Sequence, residues 1–180
     1  VIGVFSAIAA ILMVLEFPVP FAPSFYGLDF SELPALIGAF AYGPVAGVMI
    51  EFCKILIKLV LKPSSTAFVG ELANFSISCM LVLPASVIYL FKKSRKQAIL
   101  GTVVGTLIMT AFGSCFNAIY LLPKFSELYG IPLDAIIGMG TAINPAIHSI
   151  SGLVLMCVVP LNLLKGGLVS LITILVYKKL

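Results

Sequence analysis

Charge is what this sequence has least of. Only 10% of its 180 residues are Asp, Glu, Lys or Arg, where an ordinary soluble domain carries about 25%. Too few polar groups are present to cover a water-soluble globule, and that class is excluded. A hydrophobic content of 61% and a mean hydropathy of +1.21 point the same way. Tryptophan is absent and His148 is the only histidine, so no histidine pair exists for a metal site and no partner for triad chemistry. Cys53, Cys79, Cys115 and Cys157 stand singly in apolar runs with no Cys-x-x-Cys, which reads as reduced packing residues. A Gly-x-x-x-x-Gly-Lys-Ser/Thr phosphate loop and a nucleophile elbow are also missing. No ATP hydrolysis, catalytic residue, metal ligand or cofactor is therefore expected. Alternating polar residues are too sparse for an outer-membrane barrel. What remains is an all-α polytopic membrane protein, a single membrane domain over residues 1–180.

At about 20 apolar residues per crossing, there is room for five or six spans. The chain opens in an apolar stretch, Val1 to Phe17, without a basic segment before it or a small-residue cleavage site after it, and is read as a first span. Helices are expected over about 1–16, 32–41, 44–61, 67–91, 98–122 and 145–177, in one bundle with a short second helix. Pro18, Pro20 and Pro23 make the first connection a loop, because proline withholds a backbone donor. Gly43-Pro44 divides an apolar run from Pro34 to Lys62, since the residue before proline avoids helical geometry. Lys62-Pro63-Ser64-Ser65-Thr66 is a turn, residues 123–144 are expected to form a loop, and Pro160 is expected to bend the last helix.

The net charge of +4 raises nucleic acid as a partner, but most basic residues fall in two clusters beside apolar segments, Lys92 to Lys96 and Lys178-Lys179. That pattern reports topology, with both clusters cytoplasmic. Six spans then place both termini inside. A five-span count also puts the clusters on one side but exports the amino terminus; the Gly-Pro break favours six.

Ionisable and amide groups at membrane depth are functional candidates, because they are costly unless they face a cavity or a partner. Lys165 lies about 13 residues, roughly 20 Å, before the terminal lysines, and Asn162 shares its face. An amide that donates and accepts, beside an ammonium that only donates, suits a heterocycle edge of alternating carbonyl and imide groups. The bland reading has Lys165 snorkelling or paired with a carboxylate. Glu71 and Asn74 share a face near the outer end of the fourth helix, and Asn117 lies in the fifth; each is a ligand contact or an interhelical bond. Glu51, Lys54 and Lys58 have the spacing of intrahelical pairs. His148 is expected at the interface, and Glu16 and Asp29 are expected to cap or bond loops. Phe17, Phe21, Phe25, Tyr26 and Phe30 read equally as an interfacial belt or as a lid. Gly3 with Ala7, and Ser6 with Ala10, place small residues four apart on helix one, where a partner helix can approach. No repeat relates the two halves, unlike typical alternating-access transporters.

Several segments in order carry a resemblance: Leu28-Asp29-Phe30-Ser31-Glu32-Leu33-Pro34, Phe40-Ala41-Tyr42-Gly43-Pro44-Val45-Ala46-Gly47, Ala73-Asn74-Phe75, Asn117 with Leu121-Leu122-Pro123, and Val159-Pro160-Leu161-Asn162-Leu163-Leu164-Lys165-Gly166. Together they resemble the substrate-binding S components of energy-coupling-factor vitamin transporters, closest to the riboflavin-specific branch. The resemblance spans essentially the whole chain. It implies a six-helix protein of a prokaryotic plasma membrane that binds riboflavin in an outward-facing cavity. It further implies association with a transmembrane coupling subunit and two cytoplasmic ATPases. It places Asn162 and Lys165 at the isoalloxazine edge, adds Asn117 and Asn74 as polar contacts, and lines the pocket with Leu36, Ala39, Phe40, Gly43 and Pro44. Where such proteins carry Ala-x-x-x-Ala on helix one for the coupling subunit, this chain has Gly3 and Ala7. The competing expectations are another vitamin (thiamine, pantothenate, folate or a queuosine precursor), or a membrane scaffold without a ligand.

Overall fold

A computed structural model describes residues 1–24 and 26–177, so expectations attached to Phe25, Lys178 and Lys179 lie outside the described residues. The elements are α1 (Ile2–Val14), β1 (Phe17–Pro18), β2 (Gly27–Leu28), α2 (Glu32–Tyr42), α3 (Pro44–Leu61), α4 (Val69–Phe91), α5 (Arg95–Phe116), α6 (Leu122–Tyr129), α7 (Leu133–Ile143), α8 (Ile150–Leu153) and α9 (Val159–Tyr177). Wider π-helical turns, Asn117–Leu121 and Val154–Val158, join α5 to α6 and α8 to α9. Among the described residues, three continuous helices, Val69–Phe91, Arg95–Tyr129 and Ile150–Val176, are long and apolar enough to cross a membrane. Large apolar side chains such as Val45, Val60, Phe91 and Ile119 stand outward, a surface suited to lipid rather than water.

The Gly43-Pro44 break divides two helices as expected. Gly43 has φ +101°, a region closed to side chains with a Cβ, and Pro44 opens α3 at a position where its missing donor costs nothing. Short α2 is central. It buries Leu36 and Phe40 against Leu81, Tyr89, Met109 and Val169, while Ala35 and Ala39 meet Ile50 and Val82. Helices α4 and α5 lie close together because Gly101 and Gly105 present bare backbone to Ala85 and Leu81, the small-xxx-small solution for helices in lipid.

The expected loop over 123–144 is corrected: it contains α6 and α7. Pro123 lies in the first turn of α6, where proline initiates rather than breaks a helix. Gly130, at φ +60°, ends it. The last helix begins at Ile150 rather than 145, capped by Ser149 Oγ, which accepts the Gly152 N–H at 3.1 Å. Helix α5 starts earlier than expected because Ser94 Oγ caps it through the Gln97 N–H. Helix α4 starts later, since Ala67 and Phe68 hold positive φ. Both π-helical turns end two positions before a proline, Pro123 or Pro160. The backbone there closes five-residue bonds, Leu122 N–H to Asn117 O and Val159 N–H to Val154 O, as proline removes the next ordinary donor.

A Cβ on Gly101 would lie 2.5 Å from Ala85 O and 3.1 Å from Ala85 Cα, backbone atoms with little freedom to move. Gly101→Val is expected to destabilise the protein by about 1–3 kcal/mol or more. Gly167→Ala, facing open space, is expected to cause no loss. Thermal unfolding of the two variants in detergent checks the contrast.

Candidate ligand-binding cavity

A cavity of about 370 Å³ opens between the α1–α2 connection, α4, the α5–α6 junction and α9, within the range of small-molecule sites. Its walls mix Ala73, Ile77, Leu121, Val158 and Leu161 with amides, hydroxyls and ionic groups. The two π-helical turns contribute Asn117, Leu121 and Val158 to the lining.

The deep end is ionic. Lys165 Nζ, with its side chain 12% exposed, lies 2.8 Å from Glu32 Oε1 and 3.1 Å from Asp29 Oδ2. Ser78 Oγ donates to Glu32 Oε1 at 2.6 Å, and the Ser31 N–H donates to Asp29 Oδ1 at 2.8 Å. Behind them, fully buried Lys54 pairs with Glu51, donates to Ser31 Oγ at 3.2 Å and stands 3.9 Å from Glu32 Oε1. Asp29 sits in the connection between α1 and α2. Burial pushes its carboxyl up, but Lys165, Lys54 and the two bonds from Ser31 outweigh this and hold it below the ordinary carboxylate range. Asp29 thus does more than bond a loop: it ties the loop to α9, 136 residues away.

Asn162 and Lys165 both line the cavity. Asn162 Nδ2 is buried without a hydrogen-bond partner among the described residues. Its amide packs against Gly113, where a Cβ would come within 2.6 Å of Nδ2. Asn74 and Asn117 also line the cavity. Asn117 Oδ1 accepts from Tyr26 OH at 2.9 Å while its Nδ2 donates to Gly113 O at 2.7 Å. Asn74 Oδ1 is 3.5 Å from Ser78 Oγ. Lys165 therefore combines both readings, paired with carboxylates and facing a hollow.

At the rim, Glu71 lines the cavity but is engaged by Lys58, by Ser64 Oγ at 2.8 Å and by Thr66 Oγ1 at 3.2 Å. Lys58 thus pairs across helices, correcting the expected intrahelical pair; Lys54 keeps one with Glu51. Lys62 and Glu16 approach at 3.8 Å, half exposed. Leu36, Ala39 and Phe40 pack in the helical core, and neither they nor Gly43 and Pro44 are among the residues lining this cavity. The side chains α2 turns to it come from its first turn. On α1, Ser6 and Ala10 are fully buried, which corrects their expected place on a partner face; Gly3 is exposed and Ala7 partly so. His148 is exposed just before α8. The loop aromatics divide: Phe17 is exposed, Phe21 and Phe30 pack on core clusters, and Tyr26 reaches the cavity.

Sequence reasoning offers Tyr26 only as a belt or lid aromatic, without its hydroxyl's bond to Asn117, and misses Glu32 and Ser78 in the cavity wall and Ser31 and Lys54 as the buried support behind it. The available signal was electroneutrality, since each buried lysine requires a carboxylate. Removing one member of a buried pair leaves the other uncompensated, at a cost of about 3–5 kcal/mol. Lys165→Met is expected to lower stability by that order, and adding Asp29→Asn to recover part of the loss. Thermal unfolding of the single and double variants measures this.

Residues 1–177 match the family described as "ECF transporter, substrate-specific component". The chain is 34% identical over 179 residues to the riboflavin transporter RibU of Staphylococcus aureus (strain TCH60), covering 99% of this chain and 87% of that one. It is 31% identical over 183 residues to the riboflavin transporter FmnP of Bacillus subtilis (strain 168), covering 100% and 90%. A solved structure described as "Structure and mechanism of the S component of a bacterial ECF transporter" superposes with a TM-score of 0.75 at 35% identity, covering 99% of this chain and 91% of that one. These are transport components rather than enzymes. The chain belongs to the family of substrate-specific components of ECF transporters.

Proposed function

We propose that this chain captures riboflavin in the cavity beneath its α1–α2 connection, as the S component of an ECF vitamin importer. One observation carries the reading: a buried amide donor without a partner among the described residues, Asn162 Nδ2, shares the wall of a hollow of ligand size with the Lys165 ammonium. A buried donor left unmatched costs about 1–3 kcal/mol, and a bound carbonyl relieves that cost. Riboflavin is uncharged but rich in carbonyls, ring nitrogens and hydroxyls. Its heterocycle edge suits Asn162 and Lys165, and Asn74 and Asn117 add amides along the same wall. The apolar side chains between them suit the ring faces. Similarity to transporters named for riboflavin favours this vitamin over thiamine, pantothenate, folate or a queuosine precursor.

The rest of the assignment follows the same reading. Six helical crossings, counting α1, α2 and α3 with the three long helices, put both termini in the cytoplasm of a prokaryotic cell, and the cavity then opens outward. A transmembrane coupling subunit and two cytoplasmic ATPases supply the energy, and exposed Gly3 with partly exposed Ala7 offers the coupling subunit a close approach on α1. Glu71, saturated by its neighbours, shapes the rim.

Asn162→Ala removes a group that bonds to no described residue, so it is expected to leave thermal stability intact. It is expected to weaken riboflavin binding by about 1–3 kcal/mol, roughly 5–150-fold. Quenching of riboflavin fluorescence by the detergent-purified protein measures this, with the other vitamins as competitors that fail to displace it. Unchanged affinity in the variant, or displacement by another vitamin, contradicts the proposal.

A further inference from the structure

The ionic cluster at the deep end of the cavity holds one carboxylate more than its ammonium groups can balance. Asp29, Glu32 and Glu51 share Lys54 and Lys165, and Asp29, Glu32, Glu51 and Lys54 are all at most 4% exposed. The three acids are unequally supported. Asp29 receives Lys165 and the Ser31 N–H. Glu32 receives Lys165 and the Ser78 hydroxyl. Glu51 receives only Lys54, which it shares with Ser31 and Glu32, and beyond that ion pair neither of its oxygens has a donor among the described residues; Glu32 Oε2 also lacks one, but Glu32 keeps two donors on Oε1. An ionised carboxylate accepts at both oxygens, and a buried charge short of partners is relieved most simply by a proton.

We propose that Glu51 is a proton-binding site, occupied at neutral pH, whose state is coupled to the ligand cavity. The groups around it are Lys54 on its own helix, Glu32 from α2, Cys79 from α4 and Lys165 from α9, with Asp29 from the preceding connection acting on Lys54. With the proton in place, the remaining two carboxylates balance the two lysines. Its loss adds a negative charge that draws Lys54 away from Ser31 and Glu32. Glu32 then holds Lys165 more tightly, and the ammonium is less available to a ligand. Affinity for riboflavin therefore falls as pH rises and the proton leaves. This coupling rests on the riboflavin reading of the cavity; the proton site does not.

Two measurements separate these parts. Infrared difference spectroscopy of wild type against Glu51→Gln near neutral pH is expected to show a protonated-carboxyl C=O band that the variant loses. A wild type without that band, or a variant that retains it, overturns the proton site. Should Gln prevent folding, Glu51→Asp keeps the acid, and the band is expected to shift; an unmoved band overturns the assignment. Riboflavin affinity followed by fluorescence quenching is expected to weaken up to about tenfold per pH unit above the titration in wild type, and to stay flat in Glu51→Gln. Binding with the same pH profile in both proteins overturns the coupling. A protein that shows the band but binds riboflavin at no pH overturns the functional reading and leaves the proton site standing.

Discussion

A lysine ammonium suspended between two buried carboxylates organises this molecule. Lys165 on α9 meets Asp29 from the α1–α2 connection and Glu32 from α2, so a single charged group joins the loop, the central short helix and the last helix. Charge of this kind is tolerated in an apolar bundle only when every member is paired or faces water. The cluster approaches this condition through Ser31, Ser78 and the Glu51–Lys54 pair, and the proton proposed on Glu51 removes its one surplus negative charge. The cost of opening it gives the cavity a fixed polar end. Beside that end sits an unspent donor, and the apolar wall completes a surface suited to a flat, polar-edged ring.

Parts of this were readable from local chemistry. The Gly43-Pro44 break follows from rules that act within two residues, and so the boundary between α2 and α3 stands where expected. Asn162 and Lys165 share the cavity because helical periodicity puts positions three apart on one face. The same rule placed Glu71 with Asn74, and both line the cavity, but Glu71 is consumed by Lys58, Ser64 and Thr66. Periodicity gives direction, not partners. The Asp29–Lys165 contact spans 136 residues, and no spacing rule reaches so far. The segment over 123–144 was misread because proline and glycine act by position: Pro123 starts a helix and Gly130 ends one, although in sequence both look like loop residues.

The prolines also shape the site. Pro123 and Pro160 each follow a π-helical turn, and those turns set Asn117, Leu121 and Val158 along the cavity. A regular α-helix would rotate the residues beyond each turn away from their present face. The missing proline donors and the polar wall are linked through the backbone itself.

The central claim is that the hollow beside Lys165 exists to receive riboflavin's polar edge. The most direct test is a structure determined with the vitamin present. The account predicts density for the ring between Tyr26, Asn117, Asn162 and Lys165, with a ring acceptor within hydrogen-bond distance of Asn162 Nδ2. An empty cavity at saturating riboflavin, or the vitamin bound elsewhere with Asn162 still unmatched, would contradict it.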